Sequence, residues 1–99
     1  MTNKTILDRV KRELDENGGK LSFEFIKEFV EMGKVTHTKL TPNMRVCVIK
    51  LSTGAEVIGV AQVLDAKNDV EEIGQEVARE NAINELWKYF GAIATAVKN

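Results

Sequence analysis

Ninety-nine residues, 43% of them apolar and 29% charged, make one domain, 1–99, with a thin core, and they exclude a disordered tail. A formal charge of -1 speaks against a general nucleic-acid binder, and a single cysteine excludes both an internal disulfide and a cysteine-built zinc cluster. No apolar run approaches the ~18 residues needed to span a bilayer, and Lys4, Asp8 and Arg9 interrupt the N-terminus where a signal peptide would be apolar.

The first element reads as a helix from Asn3 or Lys4. Ile6, Leu7, Val10 and Leu14 recur at helical spacing, with Lys4, Asp8, Lys11, Arg12 and Asp15 on the other side. Asn17-Gly18-Gly19 ends it. Ser22 is placed to cap a second helix whose apolar side is Phe23, Ile26, Phe29 and Val30, and Gly33 closes it. The two form an αα-hairpin with one face to bury.

The period then changes to two. Residues 35–41 alternate, Thr41-Pro42-Asn43 turns the chain, residues 44–51 form a strand, Ser52-Thr53-Gly54 is a hairpin turn, and residues 56–64 return. Val46 and Val48 fall on one face of the middle strand, and Cys47, Ile49 and Leu51 on the other. A strand apolar on both faces is expected to be covered on both, by helices or by a second subunit. Residues 65–69 form a polar loop able to cap a last helical segment of about residues 70–97, in which Gly91 is a candidate break. The fold class is α+β: an N-terminal αα-hairpin, a three-stranded antiparallel sheet, and one long or broken C-terminal helix.

Few residues suggest chemistry. His37 stands alone in a Thr-flanked strand with no carboxylate or co-ligand at a recognisable spacing, and Cys47 lies mid-strand between valines, so both read as structural. Phosphate-loop and dinucleotide fingerprints are absent. Glu71, Glu72, Glu76 and Glu80 crowd the start of the last helix, where acids suit the helix dipole and a solvated face. The chain therefore reads as a non-enzyme with no cofactor.

The last helix is more informative. On a helical wheel Ile73, Val77, Ala82, Ile83, Leu86, Trp87, Phe90, Ile93 and Ala94 fill more than half the circumference. So wide an arc, beside a two-faced sheet, exceeds what 99 residues can cover and predicts an obligate oligomer. Polar residues lie inside the arc: Arg79 in line with Leu86 and Phe90, Glu80 and Asn84 beside Trp87. They are expected either to be hydrogen-bonded in a helix–helix dimer interface or to face a polar ligand beside aromatic rings. As a group, Arg, Asn and Trp suit a phosphate and a planar base.

Residues 47–59, a strand, a Ser52-Thr53-Gly54 turn and a Val57-Ile58-Gly59 return, resemble the hairpin of a family of small tailed-phage proteins. The resemblance extends through E-I-G-x-x-x-A-x-E-N-A-x-N-x-L-W, from Glu72 to Trp87, and leaves the two N-terminal helices unmatched. Thr53 stands where the family turn usually has Asn, and Lys88-Tyr89-Phe90-Gly91 replaces an L-E-G-Y stretch. The chain is also similar to phage anti-Thoeris sponge proteins. That resemblance implies sequestration, without degradation, of a cyclic ADP-ribose-type or cyclic nucleotide immune signal in the host bacterial cytoplasm. It also implies a homo-oligomer, a dimer or an assembly of dimers, holding ligand between protomers. The helix face and the available cations give the expected ligand-binding set: Arg79, Asn81, Asn84, Trp87, Lys88 and Arg45, with Lys98 as a further donor. The competing expectations are a small phage structural or adaptor protein that binds a host protein through an exposed apolar patch and, third, a nucleic-acid binder using Lys4, Arg9, Lys11 and Arg12.

Overall fold

The computed structural model describes residues 3–63, 67 and 69–98. Its elements are α1 (Asn3–Glu16), α2 (Phe23–Met32), β1 (Lys34–Thr41), β2 (Met44–Lys50), β3 (Glu56–Gln62) and α3 (Glu71–Lys98). The strands form one antiparallel sheet in the order β1-β2-β3. The α+β topology is the expected one. Leu64, and most of the loop expected to cap α3, lie outside the described residues.

The helical hairpin is set by local chemistry. Gly18 and Gly19 take the left-handed φ values of 63° and 86° that let the chain leave α1. Ser22 accepts a hydrogen bond from the Phe25 amide at 3.2 Å and donates one to Glu13 at 2.6 Å, which pins the start of α2 to α1. Ile6, Val10 and Leu14 are buried as expected, but Leu7 is exposed. On α2 the expected Phe23 is 57% exposed, and Phe25 takes its place in the core. Phe23 is the first helical residue.

Helix α3 covers one face of the sheet with its first half and meets α1 and α2 with its second. Gly91 does not break it; the helix runs 28 residues without interruption. Its buried residues fall at strict four-residue intervals: Gly74, Ala78, Ala82, Leu86, Phe90 and Ala94. Four residues turn about 400°, so the row advances about 40° per step and winds round the helix. This corrects the over-wide arc. A narrow winding stripe looks broad when projected onto one wheel, and Ile73 and Val77, expected inside it, are 61% and 41% exposed. The helix face is therefore no wider than one chain can cover, and its width gives no reason for an obligate oligomer.

Small residues make the close packing possible. Gly59 of β3 lies directly under α3, and a Cβ there would collide with the Ala78 carbonyl oxygen and the Ala82 amide nitrogen. Further along, Phe90 closes an aromatic triangle with Phe25 and Phe29, at centroid distances of 5.4 and 4.8 Å, with Phe25 and Phe29 5.0 Å apart. Burying each ring contributes about 2–3 kcal/mol. The Arg9 guanidinium lies 4.6 Å from the Phe29 centroid and pairs with Glu28 at 3.0 Å, which commits one of the basic residues of α1 to structure.

Because Gly59 faces α3, strand alternation places Val57, Ala61, Cys47 and Ile49 on the same side, and Val46, Val48, Ile58 and Val60 on the other. Val46 is buried but is not part of the main core cluster. Ile58 is 54% exposed and Leu40 61%. The two-faced character expected of β2 is present, and among the described residues the helices cover one face.

Replacing Gly59 with Ala should lower stability by about 2–3 kcal/mol, since neither helix backbone atom can move without tilting α3. Urea unfolding followed by circular dichroism measures it, and a loss below about 0.5 kcal/mol would contradict the backbone contact.

Candidate functional site

The winding buried row fixes where every other residue of α3 points. On one side of it the i±4 ridge of Arg79, Ile83, Trp87 and Gly91 is half-buried, except for Arg79, which is exposed. The next ridge, Glu80, Asn84, Lys88 and Ala92, is exposed throughout. Asn81, Glu85, Tyr89 and Ile93 form the ridge on the far side of the buried row. The expected ligand set is thereby divided. Arg79 and Trp87 share a ridge, with Ile83 between them, and Asn84 and Lys88 are on the adjacent one. Asn81 and Arg45 are elsewhere.

Asn81 and Lys88 have structural employment. Asn81 donates its side-chain amide to the Val60 carbonyl at 2.8 Å, a clasp between α3 and the β3 edge. Lys88 pairs with Glu85 at 2.9 Å, one turn away on the exposed surface, where such a pair contributes about 0–1 kcal/mol. Trp87 packs against the core while remaining half-buried. Arg79 has no hydrogen bond or ion pair among the described residues, and neither has Asn84.

Arg45 is the clearest departure from expectation. It projects from β2 toward the start of α3 and forms a two-pronged bond to Asp69, Nε to Oδ1 at 3.0 Å and Nη2 to Oδ2 at 2.6 Å. Lys39 of β1 reaches the same carboxylate at 3.1 Å. The Arg45 hydrogen bonds first, and Lys39 second, hold the Asp69 carboxyl down at about 2. Asp69 is thus tied to the sheet rather than capping α3, whose first turn is closed by the Gly74 amide bonding to the Val70 carbonyl at 2.9 Å. Gly74 lets the helix pass over the Arg45 stem, which would lie 2.6 Å from a Cβ at that position. Along α3, Gly74 precedes Arg79 by five residues, about 7.5 Å of axis, and Trp87 by 13, about 20 Å. Arg45 is a fastening of the loop, remote from the Trp87 end of the Arg79–Trp87 ridge. Its partner Asp69 lies 24 residues on, and no local pattern signals the pair.

His37 is exposed on β1 and lines a cleft of about 110 Å³ with Thr38, Lys39, Arg45, Glu71 and Gln75. Cys47 is fully buried. Burial pushes its thiol up, and the positive charge of Arg79 offsets part of that. A buried thiol of raised pKa is a core residue, as expected. Among the described residues no three His, Cys, Asp or Glu side chains are grouped to hold a metal ion, and no helix is long and apolar enough to cross a membrane.

The architecture is a small sheet carrying one long helix, with side-chain bonds such as Arg45–Asp69 and Asn81–Val60 joining its elements. Residues 15–96 match the model of the Phage protein (N4 Gp49/phage Sf6 gene 66) family, and the chain belongs to that family. The match is wider than the 47–87 stretch that carries the sequence resemblance, and it takes in α2 and β1. No curated protein and no solved structure matches the chain.

The Asp69 fastening makes a pH prediction. Its folded pKa of about 2 lies below the ordinary value of ~3.9, so its stabilisation is complete above about pH 4 and lost as pH falls through about 2. Thermal melts should show wild type more stable than Asp69→Asn at pH 5, with the gap closing toward pH 2. An equal gap at both pH values would contradict the assignment.

Proposed function

We propose that this phage-family protein acts by binding and not by catalysis. It sequesters a cyclic ADP-ribose-type or cyclic nucleotide immune signal in the host bacterial cytoplasm and leaves it intact. The observation that carries the reading is the Arg79–Ile83–Trp87 ridge: an unpaired guanidinium and, about two turns along the same ridge, a half-buried indole, with the unpaired Asn84 amide on the neighbouring ridge. A guanidinium makes paired hydrogen bonds to a phosphate, an indole offers a face for stacking, and a carboxamide reads the edge of a base. Asn81, Lys88 and Arg45 have lesser parts in this reading, because each already bonds within the chain. The ridge is open to solvent in one chain, so tight binding calls for a second copy to wall it, and a homo-oligomer belongs to the proposal.

Calorimetry with glycocyclic ADP-ribose and with cyclic oligonucleotides tests this. Arg79→Ala should weaken binding by roughly 10- to 150-fold, the worth of a charged hydrogen bond of about 1.5–3 kcal/mol, with an unchanged melting curve. If the wild type binds neither class the sponge reading is wrong, and recovery of a cleaved ligand would make the protein an enzyme.

A further inference from the structure

The two edges of the sheet are not alike. The Leu51 amide bonds to the Ala55 carbonyl at 2.8 Å and the Val63 amide to the Asn43 carbonyl at 2.9 Å, so the odd-numbered residues of β2 turn their backbone groups to β3. Alternation turns those of Val46, Val48 and Lys50 to β1, where Thr38, Thr36 and Lys34 stand opposite in register. Val35, His37 and Lys39 therefore direct their N–H and C=O groups outward, beyond the last strand of the sheet. None of these groups has a hydrogen bond among the described residues. The same alternation sends the Val60 carbonyl out from β3, and there the Asn81 side chain takes it at 2.8 Å. The β3 edge is thus obstructed in its middle, whereas β1 is exposed at every position but the half-buried Val35.

Charge is segregated onto the open edge. From Met32 to Ala55 the chain carries Lys34, Lys39, Arg45 and Lys50 and no acid, although Asp and Glu outnumber Lys and Arg 15 to 14 in the whole sequence. Lys39 and Arg45 share Asp69. Lys34 and Lys50 stand directly opposite each other, and neither has an ion pair among the described residues. Like charges so placed are destabilising, and an anion beside them removes the repulsion.

We propose that β1 receives an extended, acidic segment of another protein as a fourth strand of the sheet. Antiparallel addition pairs the outward groups at Val35, His37 and Lys39 over about 14 Å of strand. On the face turned from α3 the incoming side chains lie beside Lys34, Thr36 and Thr38, and acids suit that side. On the other they lie beside Val35 and His37, next to Glu71 in the cleft below α3, and apolar β-branched residues suit it. The occupant is therefore a segment that alternates acidic and apolar residues. A second copy does not fit, because β1 against β1 gathers four lysines in one lane with no acid. Nucleic acid matches the charge but lacks the alternating amides and carbonyls that a strand edge pairs with. This goes beyond the nucleotide reading and does not depend on it, since it uses no residue of the Arg79–Trp87 ridge.

The probe is a capped heptapeptide of alternating Glu and Val, titrated to about 2 mM into the full chain and followed by amide hydrogen exchange in NMR spectra. In the free chain the amides of Val35, His37 and Lys39 should exchange quickly and those of Thr36 and Thr38 slowly. The peptide should slow the first three and leave the other two unchanged. His37→Pro deletes one outward donor and no inward bond, so it should abolish binding with an unchanged melting curve. Lys34→Glu should weaken binding roughly fivefold, and a Lys–Val peptide of the same length should not bind. These two arms decide the matter even if His37→Pro unfolds the chain. A Glu–Val peptide that slows none of the three amides would overturn the proposal, as would equal binding of the Lys–Val peptide or full binding by a folded His37→Pro chain. Shifts at these residues with an oligothymidylate, and none with the peptide, would overturn it too and give the edge to nucleic acid.

Discussion

The approach of the α3 backbone to Gly59 is the constraint on which the remaining architecture rests. A helix that carries alanine at positions 78 and 82 can settle until its peptide groups meet the strand, and only a glycine beneath allows it. That depth brings Cys47, Ile49 and Ala61 under the helix and seals them from water. With the helix so low, the Arg45 stem passes beneath Gly74 and comes out at Asp69. Had the helix carried leucines over the sheet, it would stand several ångströms higher, and this fastening would have no floor.

The helix is then obliged to change character along its length. Over the sheet the buried positions are Gly and Ala, where backbone meets backbone; beyond the sheet they become Leu86 and Phe90, which reach across a wider gap to Phe25 and Phe29. A single element therefore serves two kinds of packing. Side-chain volume along its buried row measures the distance to whatever lies opposite, short to a strand and long to another helix.

Much of this was legible from residues in order. The cap at Ser22, the glycines after α1, the hairpin turn and the two faces of β2 are local signals, each written within a few positions. What escaped is of two kinds. Phe23 and Phe25 project about 200° apart on α2, on opposite flanks of the Ile26–Phe29–Val30 stripe, and a periodicity alone does not say which flank is buried. The helix wheel assumes that a buried face keeps one direction, so a four-residue row that winds was read as breadth. The ligand set shared that error: Arg79 and Trp87 remain together, but Asn81 and Arg45 had partners, Val60 and Asp69, that only the folded chain brings near.

The four-residue row has a consequence for how the helix tolerates change in length. Each residue is worth about 100° of rotation. One residue inserted between Ala82 and Leu86 would turn Phe90 and Ala94 away from the aromatic cluster while the sheet half stayed in place. Four residues would return the ridges to within about 40° of their starting direction but carry them about 6 Å along the axis. The helix behaves as a key cut at both ends, and neither substitution at the surface nor a longer loop at Asp69 would compensate for a shift in its middle. Length variation in such chains has room in the turns at Gly18 and Gly54, where added side chains meet open space, and none within α3.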